Sequence, residues 1–288
     1  MNLKKFFRGS FAGVLSVLFL LCGCTAQRNA SNTASHVQES EMRSACMTVL
    51  GDSIASGHAL SNPQKQRYSE LLDQMLLAEN IDCVVTNYAG NGMDSDELLS
   101  ALKNQNYPQL VNADWVIVSI GANNLLGATM DFFYDHFSSL FSSFSELTDD
   151  DYTDFLNELE KGITQFQEEL PLIIREVRAQ NSDCRIILQT VYNPFRDTKL
   201  SLYAPELSVS LNELSMDYIE RINQVIWQLE SADDGILIAD VLTAFAQSPK
   251  DCVNTQSGRK LFKLPIDPHP NQNGHRLIAE LILPLLLR

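Results

Sequence analysis

Basic residues are scarce in this chain: 21 Lys and Arg stand against 36 Asp and Glu, a formal charge of −15 over 288 residues. That imbalance removes the electrostatic case for binding nucleic acid, whose phosphates would be repelled, and for docking on anionic headgroups through a basic patch. There is no CxxC pair and no Cys/His cluster, so nothing in the sequence calls for a zinc site. No internal repeat divides the chain. The apolar run Phe11–Leu21 is too short to span a bilayer comfortably. Following Lys4, Lys5 and Arg8, it suits the central region of a signal peptide.

That run ends in Leu21-Cys22-Gly23-Cys24, which resembles the lipobox of bacterial lipoproteins. The resemblance implies cleavage before Cys24, a diacylglyceryl group on its thiol, and an extracytoplasmic protein anchored to the cell membrane by lipid. An ordinary secretory signal or an uncleaved anchor is the alternative. Residues 1–23 are then the signal peptide. Residues 24–44, polar and rich in Ser, Asn and Ala, are a flexible tether. Residues 45–288 are one domain with a sizeable core. Of six cysteines, Cys46, Cys83, Cys184 and Cys252 fall in that domain, either as disulfides in one of three pairings or as buried thiols.

Short apolar runs at Met47–Leu50, Cys83–Asn87, Trp115–Ile120, Arg185–Thr190 and Ile236–Asp240 alternate with helical spacing. The helical patterns cover Tyr68–Ala78, Phe155–Arg178, Met216–Leu229 and Gly274–Leu287. Such alternation predicts a parallel sheet covered on both faces, an α/β/α sandwich with its chemistry along the strand C-terminal edge. Leu125–Phe144 and Thr198–Leu214 do not fit the minimal alternation and leave strand ends near that edge.

The first strand runs into Gly51-Asp52-Ser53-Ile54-Ala55-Ser56-Gly57, a tight turn that should lift the Ser53 hydroxyl out at the sheet edge. Three further blocks follow: Asn87 to Leu98 with Gly92 inside it, Gly121-Ala122-Asn123-Asn124, and Asp267-Pro268-His269-Pro270-Asn271. In this order they resemble the blocks of the SGNH, or GDSL-type, hydrolases. The resemblance implies five parallel strands in the order 2-1-3-4-5 and a serine esterase acting through an acyl-enzyme. It assigns Ser53 as nucleophile and His269 as base. The oxyanion hole would be the Ser53 and Gly92 N–H groups with the Asn123 amide. No metal or cofactor is implied.

Two departures stand out. Asn124 occupies a position where the family usually has Asp. The family's acid usually lies three residues before the His, here Ile266, whereas Asp267 lies two before. Either Asp267 orients His269, or a backbone carbonyl does so in a Ser–His dyad. His36, His58, His136 and His275 read as solvent-facing or structural. Tyr192-Asn193-Pro194-Phe195 lines the cleft or forms a structural turn. At Gly92 a Cβ would obstruct approach of the backbone to substrate. In the Phe-rich stretch, Phe133, Phe137, Phe141 and Phe144 share one helical face suited to the core, while Phe132, Tyr134 and Leu140 point elsewhere and could offer surface to an acyl chain. The expected substrates are lipid-like or short acyl esters. O-acetyl groups of cell-envelope polysaccharide are the nearest rival, and a non-catalytic binding lipoprotein is a rival of another class. The sequence leaves the oligomeric state open.

Overall fold

The computed structural model describes residues 42–136, 148–196, 201–204, 207–233, 235–255 and 267–288. Five parallel strands form its centre: β1 (Arg43–Gly51), β2 (Ile81–Asn87), β3 (Trp115–Ser119), β4 (Arg185–Gln189) and β7 (Ile236–Ala239), in the spatial order β2-β1-β3-β4-β7. Counting these five strands along the chain gives the expected 2-1-3-4-5. A two-stranded antiparallel hairpin, β5 (Ser201–Ala204) and β6 (Leu207–Ser210), lies within the extended connection after β4.

The strands are apolar on both faces because both faces are covered. Val116 and Val118 of β3 and Ile186 and Leu188 of β4 join one core cluster. It is completed by α4 (Ser95–Lys103), α5 (Ala122–His136), α6 (Asp149–Gln180) and α7 (Leu211–Glu230). The alternate residues Trp115, Ile117 and Ile187 face the other cluster, with α3 (Tyr68–Ala78), α8 (Val241–Gln247) and α9 (Gln272–Leu286). Each fully buried Leu or Ile there contributes about 1.5–3 kcal/mol of transfer free energy, so the two clusters together fix the register of the sheet.

The observed elements outrun the apolar signal at their ends. β1 starts at Arg43 because Arg43 and Ser44 continue the ladder with exposed side chains. α6 starts at Asp149 because Thr148 and Asp151 form a reciprocal capping box. The pattern also passes over α4, which is short and started by a second capping box between Asp94 and Glu97. Cys46, Cys83 and Cys184 are free thiols, and Cys252 is buried. No helix of the described residues is long and apolar enough to cross a membrane. The tether expected over residues 24–44 is corrected at its end, where Arg43 and Ser44 already pair in β1. Its residues 24–41, with the lipobox Cys24 and His36, and the stretch Phe137–Phe144 with Leu140 lie outside the described residues, as do the side chains of Phe133, Tyr134 and His136.

Candidate active site

β1 ends against β3 so closely that position 51 has no room for a side chain: a Cβ on Gly51 would lie 2.1 Å from the Ser119 carbonyl oxygen, at φ +144°. The chain then turns into the one-turn helix α1 (Ser53–Ser56). Asp52 caps it, its Oδ1 accepting the Ile54 N–H at 2.9 Å. Ser53 is only 8 % exposed, so the expected outward hydroxyl lines a cleft rather than the open surface.

His269 arrives from the other end of the chain. Its Nε2 lies 3.1 Å from Ser53 Oγ, and its Nδ1 lies 2.7 Å from Asp267 Oδ1. Asp267 reaches the ring despite its short spacing because the segment is an Asx turn. The same Oδ1 accepts the His269 backbone N–H at 3.2 Å, which folds the carboxylate beneath the imidazole. The neighbouring backbone is held from outside: Tyr192 donates its hydroxyl to the Pro268 carbonyl at 2.6 Å, and the Asn254 N–H bonds the His269 carbonyl at 2.9 Å. With Nδ1–H on Asp267, the neutral imidazole presents Nε2 as acceptor to the Ser53 hydroxyl.

Of the three expected oxyanion donors, Ser53 and Asn123 line the same cleft. Neither the Ser53 N–H nor the Gly92 N–H has an acceptor among the described residues. The Asn123 Nδ2 gives one hydrogen to the Met93 carbonyl at 2.9 Å, which ties α5 to the Gly92 loop and leaves the other hydrogen for the cleft that Asn123 lines. Gly92 is required for a reason other than crowding by the protein: a Cβ there would meet nothing within 4 Å, but φ is +81°.

Asn124 has a structural account. Its Nδ2 donates to Ser95 Oγ at 2.7 Å, and Ser95 Oγ donates to Glu169 Oε2 at 2.5 Å. An aspartate at 124 would place a second carboxylate on a hydroxyl that has one proton to give. The amide therefore matches Glu169 of α6.

Sequence reasoning missed where one histidine stands. His58 was expected to be solvent-facing or structural, yet its ring centroid lies 4.5 Å from that of His269. The His58 N–H bonds the Ser53 carbonyl at 2.9 Å, so α1 folds this ring back beside the site. A histidine five residues after Ser53, across a one-turn helix, is the signal that could have found it. His275 is fully buried, and burial with the nearby His269 pushes its pKa down to about 3.

A cleft of about 730 Å³, measured out to its open mouth, leads away from Ser53. The first turns of α5 supply Leu125, Leu126 and Thr129, α6 supplies Phe155 and Leu159, and α7 supplies Leu214 and Tyr218. Pro194 and Phe195 line it too, so the Tyr192–Phe195 stretch is part of the cleft. Phe132 departs from expectation: it is buried and stacked on Phe155 at 4.3 Å, a core residue behind the wall.

A family model for the GDSL-like lipase/acylhydrolase family matches residues 49–277. The chain belongs to this family. Among proteins similar to this GDSL-like hydrolase, YpmR of Bacillus subtilis (strain 168), itself uncharacterized, is 26% identical over 274 residues, covering 94% of this chain and 92% of its own. The lipase Lip_vut3 from a goat rumen metagenome superposes with a TM-score of 0.58 at 17% identity, covering 83% of this chain and 95% of its own. An extracellular lipase from Streptomyces rimosus does so with 0.57 at 18% identity, covering 84% and 98%. These likenesses concern the fold, and with the family they support a carboxylic-ester hydrolase.

Proposed function

We propose that this GDSL-like hydrolase cleaves lipid-like acyl esters through an acyl-enzyme on Ser53. The reading is carried by the cleft that opens from Ser53, which is apolar in wall and end. Its few hydroxyls are already engaged: Thr129 Oγ1 donates to the Leu125 carbonyl at 2.8 Å and Ser215 Oγ to the Leu211 carbonyl at 2.6 Å. The Tyr218 hydroxyl faces the Glu160 carboxylate, and burial together with that carboxylate pushes its phenol up to about 12. Away from the reacting corner, such walls offer contact to methylenes and no free hydroxyl proton to a sugar oxygen.

In this mechanism Ser53 Oγ attacks the ester carbonyl carbon while its proton passes to His269 Nε2. The imidazolium is stabilised by the Asp267 carboxylate 2.7 Å away. The carbonyl oxygen takes the negative charge and is met by the Ser53 and Gly92 N–H groups and the Asn123 amide. Collapse breaks the bond to the alcohol oxygen, which leaves with the proton from Nε2. Water then gives a proton to Nε2, adds to the acyl carbon, and its collapse returns the proton to Ser53 and releases the acid.

Each buried methylene contributes about 0.8 kcal/mol, so four in the cleft supply roughly 3 kcal/mol, about a hundredfold in kcat/KM. Measuring kcat/KM over p-nitrophenyl esters from acetyl to decanoyl, beside acetylated glycans, tests this directly. A maximum at medium chain length is the expected result. A preference for acetyl groups would overturn the lipid reading in favour of polysaccharide O-acetyl esters. The proposal includes a lipid anchor on Cys24, which would keep the cleft at the membrane from which such substrates come.

A further inference from the structure

Behind Ser53, on the face opposite the cleft's helices, four buried side chains each keep a polar atom without a hydrogen-bond partner. The atoms are Asp52 Oδ2, Tyr68 OH, Gln189 Nε2 and His275 Nε2. The residues are 1, 0, 4 and 0 % exposed. They are neighbours although far apart in sequence. Tyr68 and His275 stack with ring centroids 6.1 Å apart, and the Gln189 amide adjoins the Tyr68 hydroxyl without completing a bond to it. Asp52 and Gln189 both line one small cavity, with Ser119, Thr190 and Ile278.

The polarity of the group is specific. The Tyr68 backbone N–H donates to His275 Nδ1 at 3.3 Å, so the neutral imidazole carries its proton on Nε2. His275 Nε2–H, Gln189 Nε2 and the Tyr68 hydroxyl are thus three donors, and Asp52 Oδ2 is the acceptor among them. Donors in that number disfavour a cation. Asp52 and Gln189 line the cavity itself, while Tyr68 adjoins Gln189 and stacks on His275. A carboxylate and unsatisfied donors this close together are the surroundings in which a protein retains water with two to four partners.

We propose that Asp52 is a positioning residue: its Oδ2 binds an ordered internal water shared with Tyr68, Gln189 and His275, while its Oδ1 caps the turn that carries Ser53. The inference rests on the reading of Ser53 as nucleophile. The bridged carboxylate links the nucleophile's turn to α3, to the end of β4, and to α9, which follows directly after His269. It sets the Ser53 hydroxyl without touching substrate.

Burial pushes the Asp52 carboxyl up to about 7 against the pull of the Ile54 and Ala55 N–H groups. Folded Asp52 therefore holds its proton at a pH where unfolded Asp has lost it, and without water in the cavity the fold loses stability as pH rises from about 4 to about 7. Bridging water opposes that loss. Asp52→Asn separates the two situations, because Asn caps helices as well as Asp does but presents an amide donor where Oδ2 accepted. At pH 8, the bridged network predicts a kcat about tenfold lower with KM within about twofold, and a Tm several degrees lower. Tyr68→Phe, which removes a single hydroxyl, should lower kcat less and again leave KM. A high-resolution crystal structure of the wild type should hold a water within hydrogen-bond reach of Asp52 Oδ2.

A cavity without ordered water, or an Asp52→Asn protein with unchanged kcat and a raised Tm, would overturn the proposal. Absence of esterase activity in the wild type would sink the Ser53 reading instead, while the crystal water and the Tm shift still decide the cavity.

Discussion

The two sides of Ser53 are built to opposite rules. Toward α5, α6 and α7 the protein turns its hydroxyls onto its own helix carbonyls and shows carbon to the cleft. Toward α3 and α9 it buries a carboxylate, a phenol, an amide and an imidazole together and leaves an atom of each unpaired. Apolar surface is useful where a chain slides in and must leave again. Polar atoms are useful where geometry must be held, since each unmet partner costs about 1–3 kcal/mol and so specifies one arrangement. Ser53 stands on the boundary, with apolar walls on one side and buried polar atoms on the other.

Substitutions at the boundary itself should have the largest effects. Ser53→Ala and His269→Ala should each lower turnover by about 10⁵–10⁶ while the protein stays folded, measured as ester hydrolysis and as loss of fluorophosphonate labelling for Ser53→Ala. A folded Ser53→Ala protein that keeps more than a few per cent of its activity would end the serine-esterase reading. Asp267→Asn should lower kcat by up to about 10⁴, because the amide favours the wrong His269 tautomer. A loss under about tenfold would mean that the backbone alone orients the ring. Asn123→Ala should lower kcat by about 10²–10³ with a smaller change in KM. An unchanged kcat would take Asn123 out of the oxyanion hole.

On the cleft side, Leu214→Trp should cut kcat/KM for octanoyl esters about tenfold and leave acetyl esters alone, as expected from the loss of one to two methylenes of contact. A uniform fall across chain lengths would show that Leu214 supports the fold and does not bound the acyl chain. Cys24→Ala should have the smallest kinetic effect: unchanged kcat, with the protein released from membranes or stalled in processing on fractionation. A processed mutant that stays firmly membrane-bound would refute the anchor.

The sheet was legible because continuous apolar runs in parallel strands leave few alternatives, and three of the four motif blocks follow directly on β1, β2 and β3, while the fourth leads into α9. α4 was not, since nine residues with Leu98, Leu99 and Leu102 give too little periodicity. The reach of Asp267 was left open because it depends on an Asx turn, a matter of two dihedral angles rather than of spacing. His58 and the cavity behind Ser53 escaped for a deeper reason. Their members stand at positions 52, 58, 68, 189, 269 and 275, and proximity across such separations is a property of the fold alone. The aromatic stretch misled at Phe132, where helical phase could not say that α6 would come to cover it.

Because the Asp267 carboxylate grips both the ring and the backbone N–H of His269, acid and base travel as one rigid body. Motion of their loop leaves that pair unchanged and stretches the 3.1 Å contact between Nε2 and Ser53 Oγ. That contact is the one that joins two distant parts of the chain, residues 53 and 269. Its loss would separate an intact acid–base pair from Ser53.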